Sequence, residues 1–374
     1  MALQVFFTGL AYFLRTATAS SCSCGYSVNS TNSSSFAVFT SVLETDFLHL
    51  ISLPTTDPNW QTQAYNVSSA AARGPYGKIA EVGNVIMNPI PDRNLWEGEG
   101  VHREDPGLQL WVRAGQSDGG MIGMGEITSA RRDMQFGSFR VGMKMSNVSG
   151  TCGAFFWFDD NTQEIDIEFL SKEFDGNNNS LNLVVQTPQS AQAGYDAAGT
   201  PDFKVIQLPF APDDGYHDYR FDWVPNRVSF YADGVWLEDM TDDIPSSPGG
   251  LFLNHWSNGD PKWSAGPPQT DAVLTVSYVK AYFNTSGSQN TGPCTKDPIC
   301  EIPDQKVAPN PVAPNGGPNG SPNGGSPDGN QTGNTTFFTP QQSGSSRRIS
   351  TGGQLGNLVL PLLTDIRKDQ KVSG

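Results

Sequence analysis

The run Glu164-Ile165-Asp166-Ile167-Glu168 sets three carboxylates at alternate positions with isoleucine between them. Period two belongs to a β-strand, so the acids share one face while Ile165, Ile167 and Phe169 take the other. The isoleucine face reads as core. A row of three like charges on the opposite face is unfavourable unless the charges do chemistry. The α-carbons of Glu164 and Glu168 should stand about 13 Å apart at ~3.3 Å per residue. If each side chain leans inward by ~4 Å, the carboxyl groups end roughly 5 Å apart. That separation suits a retaining glycosidase, where one carboxylate attacks the sugar and the other protonates the leaving oxygen. The competing reading is a solvated strand with an acidic outer face. Such faces usually mix Lys, Thr and Ser with their acids, and this one does not.

The strand needs a partner. Cys152-Gly153-Ala154-Phe155-Phe156-Trp157-Phe158 is apolar on both faces, and Asp159-Asp160-Asn161-Thr162 links it to the acids as a hairpin turn. An even-length connection pairs Trp157 with Glu164 and Phe155 with Asp166, on the acid face. Aromatic rings beside carboxylates suit a sugar platform, because sugar C–H faces stack on rings. Trp157 is therefore a candidate sugar contact.

These segments resemble glycoside hydrolase family 16, the β-glucan-active enzymes. Glu164 to Leu170 is similar to that family's catalytic strand, and Gly137 to Lys144 to the strand before it. Tyr216 to Trp223, followed by Val228 to Gly234, resembles a later strand pair. Asn254-His255-Trp256-Ser257-Asn258-Gly259 lies where lichenases carry a similar Asn-x-Trp segment. The resemblance covers roughly residues 100–285. It implies Glu164 as nucleophile, Glu168 as general acid and then base, and Asp166 tuning both. The residues alone point the same way: three adjacent carboxyls cannot all ionise cheaply, so one is pushed up to serve as the acid. The laminarinase branch inserts a residue into this strand and this chain does not, a form similar to lichenases, xyloglucan endotransglycosylases and fungal wall transglycosylases. By the same resemblance, Asn182 hydrogen-bonds the sugar next to the nucleophile. A structural calcium occurs in relatives of the fold, with no ligands assignable here; no other cofactor is expected.

Other candidates are weighed against plain structural roles. Trp256 and Trp263 lie in or beside a Gly/Pro-rich loop and are subsite candidates, whereas Trp223 in an apolar strand reads as core. His217 is either a satisfied structural histidine or a substrate contact. Arg131 and Arg132 could touch glucan, with a salt bridge the preferred reading. Gly115-Gln116-Ser117-Asp118-Gly119 fits the G-x-S-x-G nucleophile pattern but has no helix after it, so a polar hairpin loop is the better reading. Only four histidines are present, without H-E-x-x-H or ligand spacing, which argues against a catalytic metal.

Around the motifs, 40 Gly, 27 Pro and alternating β-branched and aromatic runs predict an all-β chain. The expected fold is a jelly-roll β-sandwich of the concanavalin A-like type over 20–301, preceded by a secretory signal at 1–19. Nine N-x-Ser/Thr sequons fit export. Cys22, Cys24, Cys294 and Cys300 are expected to form disulfides tying the N-terminal segment to the domain's end, leaving Cys152 as the odd buried thiol. Residues 302–347 read as a disordered Pro/Asn/Gly/Ser spacer. The tail, 348–374, has features of a GPI signal, but its apolar run is short and ends in charges. It is also too short to span a bilayer. A net charge of −15 without a basic cluster argues against nucleic acid or anionic membrane as partner. The expectation is a secreted, monomeric endo-β-glucanase, extracellular or wall-associated. The alternatives are a wall transglycosylase and a non-catalytic carbohydrate-binding wall protein.

Overall fold

In the computed structural model, which describes residues 24–27, 38–115, 119–174, 178–286 and 299–301, the alternating runs become strands of two large sheets. The eight-stranded sheet runs Val235–Met240, Arg227–Ala232, His217–Val224, Met134–Lys144, Ala272–Thr285, Gly107–Val112, Val85–Asn88, with Ser41–Asp46 also paired to Ala272–Thr285. The nine-stranded sheet runs Phe203–Gln207, Ser180–Gln186, Gln163–Leu170, Cys152–Asp160, Gly250–Trp256, Met121–Ser129, Gly77–Ala80, Tyr65–Val67, with Trp60–Thr62 also on Met121–Ser129. Successive strands swap sheets, as from Met121–Ser129 to Met134–Lys144 to Cys152–Asp160, which gives the jelly-roll sandwich.

The core lies between the sheets. Phe139, Val141, Phe155, Ile165, Ile167 and Phe221 are fully buried in one cluster. Each such side chain stabilises the fold by about 1.5–3 kcal/mol. The isoleucines of the acid strand face inward, so period two alone oriented that strand correctly.

The hairpin register departs from expectation. Asp160 pairs with Gln163 across the two-residue turn Asn161-Thr162, which Asp160 Oδ1 caps by accepting from Thr162 N at 2.7 Å and Oγ1 at 2.8 Å. A bulge at Asp159 then shifts the ladder, so that Phe158 faces Glu164, Phe156 faces Asp166 and Ala154 faces Glu168. One extra residue moves every side chain of a strand to the other face. Phe155 and Trp157 therefore point into the core. Trp157 is 0% exposed, its Nε1 donates to the Met134 carbonyl at 3.1 Å, and its ring lies 4.4 Å from that of Trp223. Trp157 is a core residue and not a sugar platform.

A small three-stranded sheet closes the domain, with Tyr26–Ser27 between Val38–Phe39 and Cys300–Glu301. Cys24 is disulfide-bonded, and Cys152 is a free, buried thiol. The signal at 1–19, Cys22, Cys294, the spacer and the tail lie outside the described residues. Among the described residues no helix is long and apolar enough to cross a membrane, and no group of three or more His, Cys, Asp or Glu is arranged to hold a metal ion.

Candidate active site

The three acids stand on the outer face of the nine-stranded sheet, and each meets a different neighbour. Across the sheet, one row runs Glu126, Asn254, Ala154, Glu168, Asn182; the next runs Thr128, Phe252, Phe156, Asp166, Val184; the third holds Phe158, Glu164 and Gln186. Ala154 keeps the space beside Glu168 open, while Phe156 and Phe158 wall the other two acids. Phe156 stacks on Phe252 at 4.9 Å and 17°, so this aromatic floor is built by the phenylalanines flanking Trp157. Asp166 is buried; Glu164 and Glu168 are half-buried.

Burial dominates the electrostatics. It pushes Glu164 up to about 8, with the Glu168 charge adding to the shift, and Glu168 up to about 7. Asp166 is driven well above the carboxylate range by burial and by both glutamates. Three groups so close share their protons, so the first charge placed on the row raises the other two. Asp166, the most reluctant to ionise, keeps its proton and donates to Glu164, which favours Glu164 as the anion. At Glu168 the Cys152 thiol, Lys78 and Arg73 favour charge.

The cations come from far away in sequence. Lys78, on Gly77–Ala80, holds its Nζ 4.0 Å from the Trp256 ring centroid. Arg73 ends the short helix Ser69–Ala72 in the left-handed region, φ 55°. Its Nη1 donates to the Gly194 carbonyl at 3.0 Å and its guanidinium lies 4.8 Å from the Tyr195 ring centroid. Gly77–Ala80 and Ser180–Gln186, the strands next to these two loops, are five strand steps apart in the sheet order. On a flat sheet that is about 24 Å. For the loops to touch, the sheet must curl and the loops must arch over the acid face.

Other expected site residues divide. Asn182 is on the acid face, but it pairs with Glu168 rather than Glu164 and donates to Glu173 Oε2 at 3.2 Å. Gln186 is the residue beside Glu164. Trp256 pairs with Cys152, one row beyond Glu168, and Lys78 covers one face of its ring. Trp263 packs, half-buried, against that cluster, with Phe203 6.2 Å away. His217 is on the eight-stranded sheet, held by Asp233 at 2.7 Å and Asp214 at 3.3 Å and stacked on Phe210 at 3.7 Å. Its role is structural, and it is not brought to the acids. Arg131 forms a two-point pair with Asp133, whereas Arg132 lies over Phe252.

The sequence reading missed Glu126, Tyr65, Lys78, Arg73 and the part played by Asn254. Tyr65 Oη donates to Glu126 at 2.8 Å, and Asn254 Nδ2 donates to Glu126 at 3.3 Å. Asn254 Oδ1 is buried without a hydrogen-bond partner among the described residues, two strands from Glu168. A buried orphan acceptor beside an acid row is where a sugar hydroxyl would donate. The Asn-x-Trp spacing was a signal for Asn254; nothing local marked the others. A cavity of about 380 Å³ beside His49, Met87, Arg93 and His102 lies elsewhere and contains none of the acids.

Residues 93–279 match the profile of glycosyl hydrolases family 16. The chain is 34% identical to a beta-glucanase of Paenibacillus macerans over 199 residues, 48% of this chain and 78% of that protein. It is 31% identical to a beta-glucanase of Bacillus subtilis over 135 residues, covering 34% of this chain and 50% of that one. Among solved structures, a Bacillus licheniformis beta-glucanase aligns with a TM-score of 0.47 at 21% identity, over 64% of this chain and 97% of that one.

Proposed function

The chain belongs to the glycosyl hydrolases of family 16, and from that premise we propose that it cleaves internal β-glucosidic bonds of β-1,3/1,4-glucans with retention. The observation that carries this reading is the acid row itself. Glu164 and Glu168 flank a buried, protonated Asp166 on an outer sheet face floored by aromatic rings. Glu164 attacks the anomeric carbon while Glu168 gives its proton to the departing glycosidic oxygen. The glycosyl ester on Glu164 is then opened by water, whose proton Glu168 takes back.

Before a sugar binds, burial raises both glutamates. Attack needs Glu164 as the anion and Glu168 as the acid. A glycosidic oxygen accepting a hydrogen bond from Glu168 favours its protonated form, and the sugar ring expels the water that would solvate its anion. Asp166 meanwhile keeps donating to Glu164. Substrate thus completes the division of roles.

The leader at 1–19 and the sequons support export, with 20–301 as the catalytic unit and a wall or extracellular site of action. The test is to incubate the full chain, beside Glu164→Gln and Glu168→Gln, with a panel of β-glucans and a labelled oligosaccharide acceptor. Shorter products that vanish in both variants support a retaining hydrolase, and the preferred polymer names the linkage. Labelled products longer than the acceptor would replace hydrolysis by transfer to sugar. Glucan binding without turnover in wild type and variants alike would overturn the enzyme reading.

A further inference from the structure

The thiol of Cys152 lies against Glu168. Cys152 pairs with Leu170 and its Sγ stands 3.6 Å from Glu168 Oε1, two residue pairs along the hairpin from the small Ala154. The side chain is 0% exposed, among Ala80, Met124, Leu170 and Trp256. Burial and the Glu168 charge raise its thiol well above the ordinary range, so sulfur keeps its hydrogen and acts as a donor. Trp263 packs against the cluster that holds this sulfur. The S–H donates to Oε1.

Resting on the reading of Glu168 as acid and base, we propose that Cys152 is a positioning residue. Its S–H fixes the orientation of that carboxyl and eases the loss of its proton. Among the described residues no other S–H, O–H or N–H donor hydrogen-bonds to Glu168. The remaining charged groups act on it through space: Glu164 and Asp166 from its own strand, Lys78 from Gly77–Ala80, and Arg73 from the helix cap. Glu126 reaches the same row through Asn254, and Glu173 through Asn182. These groups stay in place when the sulfur is changed, so the thiol's part can be isolated.

The experiment is the pH profile of kcat/KM on a soluble β-glucan for the full chain, Cys152→Val, Cys152→Ala and Cys152→Ser. A donor favours the carboxylate, so its loss lets Glu168 hold its proton to higher pH. In Cys152→Val the alkaline limb should move up by about 0.5–1 pH unit, the equivalent of one lost hydrogen bond. Cys152→Ser restores a donor and should return the limb to the wild-type position or below it. A limb that coincides in wild type, Val and Ser, with only kcat lowered, would mean that Cys152 merely fills space and would overturn the inference. If Cys152→Val does not fold, Cys152→Ala, which also lacks the donor, should show the same upward shift, and an unmoved limb there would overturn the inference. Full activity in Glu168→Gln would instead remove the acid–base role itself, a failure distinct from an unmoved limb.

Discussion

On the outer face of the eight-stranded sheet, Glu44, Arg140, Asp218 and Lys280 are each 1% exposed, and acids and bases are interleaved. Tyr278 Oη donates to Asp218, Tyr282 Oη donates to Glu44 at 2.5 Å, and Arg140 acts on Asp218 as Glu44 does on Lys280. Beside them Arg220 grips Asp222 through two bonds. On the outer face of the nine-stranded sheet, three acids crowd one strand, and the nearby cations, Lys78 and Arg73, are engaged with the Trp256 and Tyr195 rings. Both faces bury ionisable groups, but one interleaves the two signs while the other sets three acids on one strand. Charge that serves the fold is neutralised where it stands; charge kept for a reaction is held at an unfavourable protonation until substrate arrives.

Exchanging the roles of the two faces by mutation should separate activity from stability. Glu164→Gln and Glu168→Gln should each lower kcat/KM on β-glucan by about 10³-fold or more while the circular dichroism spectrum stays that of wild type. Asp218→Ala on the other face should do the opposite. It strands Arg140 and the Tyr278 hydroxyl, costs about 3–5 kcal/mol in a denaturant titration, and leaves kcat/KM of the folded fraction unchanged. Unfolding of Glu164→Gln, or loss of activity in folded Asp218→Ala, would erase the contrast.

The pH dependence of stability sharpens it. A carboxyl raised to about 8 in the native state binds its proton there while the unfolded chain has released it above about 4.5. The native state therefore holds more protons between those values, and stability falls as pH rises through the window. Glu164→Gln removes this slope, so its Tm should exceed that of wild type at pH 8 by a few degrees, about 2–4 °C per kcal/mol, and match it near pH 4. Equal Tm differences at both pH values would show that Glu164 is not raised. Arg73→Ala gives the smallest effect. Freed of its hold on Gly194 and Tyr195, the arch over the acids should loosen and KM should change severalfold with kcat nearly constant; an unchanged KM would mean that the arch does not meet the polymer.

The acid strand was legible because its information is local. Period two placed Ile165 and Ile167 inside and the carboxylates outside, and nothing in the tertiary structure alters that. Its partner was not legible. A single bulged residue at Asp159 exchanged Trp157 for Phe156 and Phe158 on the acid face, and the acid-rich turn carries no mark that separates a four-residue loop from a two-residue turn with a bulge. His217 shows the other limit, since neighbouring strands of the sequence alternate between sheets and proximity in the chain says little about which face is shared.

The amino-acid sequence by itself determined the chemistry on offer: the acid spacing, the all-β alternation and the segments that mark the family. Only the tertiary structure decided what surrounds that chemistry. Lys78, Arg73, Asn254 and the Cys152 thiol reach the acids because strands dozens of residues apart stack at ~4.8 Å across one sheet. Their effect on a buried carboxyl depends on distance through a low-dielectric medium, a quantity set by folding and absent from the order of residues.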